Sequence, residues 1–121
     1  MQSEIRRIIV VEAHRLQSGQ CPIRIHSLGT GESFDIRPTA DGFVDLASGL
    51  RVRTAPGHIQ LPDLQGTIDL HLTGDVSFDG YDHVSNEPFS GRAGGGATVT
   101  VYDGDRIDYF QYAIATGDDG S

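Results

Sequence analysis

Short stretches in which every second residue is apolar recur along the chain and are separated by glycine-containing turns. The alternation is clearest from Ile68 to Phe78, where each apolar residue has an even number. Successive side chains of a β-strand point to opposite faces, so this period of two is typical of strands with one buried and one solvated face. Asp-Gly pairs mark turns, because both residues tolerate positive φ. They occur at 41–42, 79–80, 103–104 and 119–120.

The number of alternating runs sets the fold class. Eight or nine strands are expected when the first segment is counted as a strand; later alternating runs lie around Ile23, Phe34 and Val44, and the last is "RIDYFQYAIA". Strands at this spacing, without a long helical pattern between them, predict an all-β domain. An antiparallel β-sandwich of the jelly-roll type is the first choice, and a closed small β-barrel is the alternative.

The first segment, residues 4–13, has a mixed pattern. Ile5, Ile8, Ile9 and Leu16 have the spacing of one face of a helix. The same segment contains "IIVV", four consecutive β-branched residues that lose rotamer freedom in a helix. We therefore predict a strand here and keep a helix as the alternative.

The chain is expected to form one domain, residues 1–116, followed by a polar, disordered tail at 117–121. A length of 121 residues is typical of a single domain that buries a core without disulfides or a structural metal. No linker, repeat or shift in composition divides it.

Charge narrows the range of partners. The 17 acidic and 9 basic residues give a net charge of −8. This balance argues against nucleic acid, which needs a basic surface, and against an anionic membrane. The single cysteine, Cys21, excludes an internal disulfide, and no signal peptide or transmembrane segment is visible. We expect a cytoplasmic protein that binds another protein or its own copies.

Asp and His residues concentrate between Thr67 and His83. In a three-residue hairpin around Gly74, Asp69 would face Asp79, and two facing carboxylates repel each other. A divalent cation held by Asp69, His71 and Asp79 would relieve that repulsion, with Asp82 or His83 as further ligands. Oxygen ligands favour calcium or magnesium, and imidazole favours a transition metal.

A solvated β-face, in which the Asp residues serve turns, is the alternative to a cation site. The spacing does not match the standard calcium loop. No organic cofactor is expected.

Aromatic residues cluster near the C-terminus as Tyr102, Tyr109, Phe110 and Tyr112. In a strand, Tyr109 points to one face while Phe110 and Tyr112 point to the other. This arrangement indicates either core packing or a face that meets a partner, because tyrosine suits surfaces that are half apolar and half wet.

The remaining motifs give weaker indications of a functional site. "FSGRAGGGATV" lacks the lysine of a phosphate-binding loop and is interpreted as a flexible loop at the rim of the fold. Cys21 has only Arg24 as a nearby cation, which favours an incidental thiol over a catalytic one. The histidines form no metal-binding or triad motif.

Three functional hypotheses follow. The first is a non-catalytic binding or assembly module, self-associating through a sheet face that carries the C-terminal aromatic residues. The second is a β-domain that binds a small ligand or a divalent cation. The third is a small barrel-type enzyme with a cavity active site, for which no residue argues directly.

Overall fold

The computed structural model describes residues 2–93, 97–103 and 108–116, which contain one α-helix and ten β-strands. Helix α1 spans Ser3–Ser18. The strands are β1 Pro22–Ser27, β2 Ser33–Thr39, β3 Gly42–Asp45, β4 Leu50–Ala55, β5 His58–Leu61, β6 Gly66–Leu72, β7 Ser77–Asp82, β8 Glu87–Ala93, β9 Thr98–Asp103 and β10 Asp108–Thr116. A 3₁₀ turn, Pro62–Leu64, separates β5 from β6.

The ten strands form one closed antiparallel barrel. Each strand pairs with its neighbours in the chain, and β1 closes the barrel by pairing with both β2 and β10. The all-β class and the barrel alternative are confirmed, whereas the sandwich that we preferred is wrong. Alternation could not separate the two, because sandwiches and barrels both bury one face of every strand.

The first segment is a helix, so the strand predicted for residues 4–13 is wrong. Helix α1 contacts β1, β3, β6, β8 and β9, which lie on all sides of the barrel, and therefore runs through its interior. Ile5, Ile8, Ile9, Val10 and Val11 are each 0% exposed. A helix buried all round lacks the polar face that makes helical periodicity visible.

The β-branched run is tolerated in α1 because burial outweighs propensity. A β-branched residue costs a helix less than about 0.7 kcal/mol relative to alanine. Complete burial of a valine or isoleucine side chain contributes about 1.5–3 kcal/mol. The helix ends at Gly19, whose φ of 80° is left-handed and whose N–H donates to the Arg15 carbonyl.

A buried ion pair joins α1 to the barrel wall. Arg7 donates through Nε to Asp45 Oδ1 at 3.2 Å and through Nη2 to Asp45 Oδ2 at 2.8 Å. The Ser48 hydroxyl donates to Asp45 Oδ2 at 2.6 Å, and the Arg7 guanidinium lies 4.3 Å from the Phe34 ring centroid. These contacts hold the helix at one rotation and one depth inside the barrel.

The segment "FSGRA" belongs to β8, so its interpretation as a flexible loop is wrong. The alternation there is weak because one inward position is Gly91, which has no side chain. The Phe78 ring fills that position: a Cβ on Gly91 would lie 2.4 Å from Phe78 Cζ. Residues 94–96 of the predicted loop lie outside the described residues, as does the predicted tail.

Among the residues that the structure describes, no helix is both long and apolar enough to cross a membrane.

Replacing Asp45 with asparagine is expected to destabilise the protein by about 3–5 kcal/mol. The substitution leaves the Arg7 guanidinium buried without its counter-charge. The matched control is Asp35→Asn, which removes an ion pair to Arg24 whose side chains are about 60% exposed and should cost less than ~1 kcal/mol. Urea unfolding followed by circular dichroism measures both, and similar losses in the two variants would contradict this account.

The protein is expected to lose stability in mild acid because of His14. Burial lowers the pKa of His14 below the ordinary value of 6.5. The unfolded chain therefore binds a proton first as pH falls below 6.5, and the free energy of unfolding declines. His14→Gln should flatten this decline as the pH falls below 6.5, whereas His26→Gln, at a surface histidine that contacts Ser33, should retain it. Denaturant titrations across that pH range measure the free energy of unfolding of the wild type and the two variants.

Candidate functional site

One row of directly paired residues crosses the outer face of five neighbouring strands. His71 of β6 pairs with Asp79 of β7, Asp79 with Ser90 of β8, Ser90 with Tyr102 of β9, and Tyr102 with Tyr109 of β10. All five side chains are exposed. We call this set the tyrosine row. It joins two sites that the sequence presents as separate, the Asp/His stretch and the C-terminal aromatic residues.

The β6–β7 register differs from the one inferred from the sequence, so the expected facing of Asp69 and Asp79 is wrong. Leu72 pairs with Phe78, which places His71 opposite Asp79 and Asp69 opposite Tyr81. Five residues, 73–77, lie between the paired Leu72 and Phe78, instead of the three expected for the hairpin. A shift of two residues leaves every side chain on its predicted face, so the alternating pattern is the same for both registers and cannot distinguish them.

Asp69 has a partner other than a cation. Its carboxylate Oδ2 accepts a hydrogen bond from His83 Nε2 at 2.8 Å, and the His83 ring packs on Tyr81 with centroids 4.9 Å apart. Of the two further ligands expected from the sequence, His83 reaches Asp69 but Asp82 does not join them. Asp82 is completely buried, and its Oδ1 accepts the N–H of Val84.

The predicted cation site gains no support from this geometry. Asp69, His71 and Asp79 share the outer face of β6 and β7. Even so, no three His, Cys, Asp or Glu side chains in the described part of the chain are grouped so that they could hold a metal ion.

A surface depression of about 550 Å³ lies along the β6 end of the tyrosine row. The His71 imidazole forms one wall of this depression and packs directly on Gly57 of the β4–β5 turn. A Cβ on Gly57 would lie only 2.9 Å from His71 Cε1, so the imidazole can lie there because residue 57 is a glycine. The depression offers carboxylate, imidazole, hydroxyl and ring surface to a partner. It is lined by Asp69, His71, Asp79, Gly80, Tyr81, Pro88, Phe89 and Ser90.

The four C-terminal aromatic residues divide between the two faces of the barrel wall. Tyr102 and Tyr109 point outward, 44% and 60% exposed, with ring centroids 5.9 Å apart. Tyr112 is buried in the core. Phe110 packs against the core as well, and the Arg6 guanidinium lies 3.8 Å from its ring centroid. The predicted opposition of Tyr109 to Phe110 and Tyr112 therefore matches the structure.

A second depression, of about 490 Å³, adjoins Tyr109 at the β10 end of the row. Leu28, itself half exposed, forms part of it together with the start of β10. The two outward tyrosines therefore stand between two depressions on the outer surface of the barrel wall.

Ser90 is the member of this face that the sequence analysis missed. Its strand was interpreted as a loop, although Phe89, Gly91 and Ala93 alternate with Pro88, Ser90 and Arg92 in the sequence. That alternation was the available signal.

Cys21 is unsuited to nucleophilic chemistry. The pKa of its thiol is raised to about 11, chiefly by burial; the nearby Arg15 opposes this rise and the Glu12 carboxylate adds a smaller contribution to it. The thiol therefore stays protonated at neutral pH, whereas a nucleophile or a metal ligand must be a thiolate.

Comparison of the chain with models of protein families, with curated proteins and with solved structures gives no match.

Alkylation of Cys21 by iodoacetamide at pH 8 is expected to be roughly two orders of magnitude slower in the folded protein than in the urea-unfolded chain. The raised pKa leaves little thiolate at that pH, and partial burial slows access further. Mass spectrometry of timed samples measures the rates. Equal rates in the folded and unfolded protein would show that the thiol is neither buried nor shifted.

Proposed function

We propose that the protein is a binding module that associates with its own copies through the outer face of β6–β10, centred on the tyrosine row. The observation that carries this proposal is the placement of Tyr102 and Tyr109. They stand exposed beside each other, between two depressions on the outer surface of the barrel wall.

The occupied interior supports recognition at the surface. Small β-barrels that bind ligands commonly do so inside the barrel. Here α1 runs through that space, and its apolar side chains pack against strands on all sides. The polar side chains that could recognise a partner therefore lie outside.

Barrel closure supports recognition by side chains. Each strand is paired on both edges along the described ladder, including β1 with β10. A partner strand therefore has no open edge to extend, and strand addition is an unsuitable mode of assembly.

The composition of the face resembles that of a protein interface. Exposed tyrosines offer large, rigid contact area at a low cost in conformational entropy. His71, Asp79 and Ser90 supply hydrogen-bonding groups along the same row, as expected for a polar rim beside an aromatic centre. When two copies meet through this face, the tyrosines of each meet those of the other, and aromatic pairs contribute about 0.5–1.5 kcal/mol beyond the area that they bury.

Tyr109→Glu is expected to weaken self-association at least ~10-fold, because it places a charge at the centre of the contact. Leu64→Glu is the matched control: it also replaces a side chain more than one-third exposed, but in the 3₁₀ turn away from the tyrosine row. Size-exclusion chromatography with light scattering over a concentration series measures the association. A wild-type protein that remains monomeric at high micromolar concentration, or equal effects of both variants, would overturn the proposal.

A further inference from the structure

The outward arginines concentrate on the side of the barrel formed by β1–β4. Arg24, Arg37, Arg51 and Arg53 are exposed there. Among the described residues, Arg92 of β8 is the other arginine on an outer strand face. The chain as a whole has a net charge of −8, so the clustering of exposed arginines on this side of the barrel calls for a role specific to that surface.

Three of these arginines surround a depression of about 260 Å³. Val44 of β3 pairs with Arg37 of β2 on one side and with Arg51 of β4 on the other. In the next outward row, Gly42 pairs with Thr39 and with Arg53. The middle strand therefore provides a low floor, and the long side chains of β2 and β4 form its walls. We call this depression the arginine cradle.

The floor of the cradle is kept low by a glycine. A Cβ on Gly42 would lie 1.9 Å from the Val52 carbonyl oxygen, so the strands approach too closely there for any side chain. Val44, the other floor residue, is only 8% exposed although it lies on the outer face. It lies between its two paired residues, Arg37 and Arg51.

Two of the three arginines are already oriented by carboxylates. Arg51 Nη2 donates to Asp63 Oδ1 at 2.8 Å, and Asp63 Oδ2 accepts the backbone N–H of Arg51 at 2.9 Å. These hydrogen bonds hold the pKa of Asp63 below its usual value. Arg53 Nε lies 3.4 Å from Asp41 Oδ2, a longer contact between exposed groups.

Arg37 differs from the other two. It makes no ion pair or side-chain hydrogen bond with another residue in the described ranges. The three guanidinium groups of the cradle therefore face two carboxylates, Asp41 in its lining and Asp63 beside it, which leaves one positive charge, at Arg37. Guanidinium groups present several N–H donors in a plane and suit the oxygens of phosphate and carboxylate groups.

We propose that the arginine cradle binds a phosphate group, anchored by Arg37 and supported by the remaining donors of Arg51 and Arg53. Its volume is below the range of about 300–1,000 Å³ typical of pockets that enclose whole ligands. It therefore holds the charged group, while the rest of a ligand lies outside the depression, beside Pro62 at its edge. This inference does not depend on self-association through the tyrosine row.

The test is isothermal titration of the protein with sodium pyrophosphate and, separately, with inorganic phosphate in a phosphate-free buffer at constant ionic strength. The wild type is expected to bind saturably, with pyrophosphate the tighter of the two because it offers more oxygens and charge. Arg37→Gln should weaken binding at least ~10-fold. Arg37→Lys should recover part of the affinity, since it restores the charge but not the planar donors.

Arg24→Gln is the matched control, because Arg24 is an equally exposed arginine on the neighbouring strand β1, outside the cradle and paired with Asp35. Its affinity should stay within ~2-fold of the wild type, as expected when only distant screened charge is removed. Absence of saturable binding by the wild type would overturn the proposal. Equal losses of affinity in Arg24→Gln and Arg37→Gln would also overturn it, because they would show that the anion is attracted by the overall positive charge of this surface and not by the cradle. Circular dichroism verifies that each variant is folded.

Discussion

Ten strands enclose more space than their own inward side chains fill, and α1 occupies it. Barrels of about eight strands have an interior just wide enough for side chains to close. This barrel has ten strands and a helix of sixteen residues whose central part, residues 7–14, is buried on all sides. The Arg7–Asp45 pair fixes the rotation of that helix, because a buried guanidinium needs its counter-charge in one place. The closed wall and its packed interior therefore depend on each other.

A filled interior moves the chemistry to the outer surface, and the pairing of the strands arranges that surface. In an antiparallel sheet, directly paired residues point to the same side, so a row of pairs brings together side chains that are far apart in sequence. His71 and Tyr109 belong to one row in this way. On the opposite side of the barrel, the same rule places Arg37 and Arg51 on either side of Val44. The two proposed sites thus follow from register rather than from a local motif.

Glycine shapes both the core and the surface of the wall. The rings of Phe78 and Phe89 rest on Gly91 and Gly80 of the partner strand, where any Cβ would collide with them. Gly42 lets β3 and β4 approach closely below the arginine cradle. These glycines are placed within strands, and for that reason the "FSGRA" segment resembled a loop in the sequence.

The sequence by itself determined the all-β class and the face on which most strand residues lie, because alternation is a local property of an extended chain. It placed Tyr109 opposite Phe110 and Tyr112, and it placed Asp69, His71 and Asp79 together on one outer face. Only the tertiary structure decided that the sheet closes into a barrel, that residues 3–18 form its central helix, and that His71 rather than Asp69 faces Asp79. Closure depends on hydrogen bonds between β1 and β10, which are far apart in the sequence. The register of β6 and β7 depends on the turn that joins them, and a two-residue shift leaves alternation unchanged. Burial of α1 on every side likewise removed the polar stripe that marks a helix, so the β-branched run could be understood only after its surroundings were known.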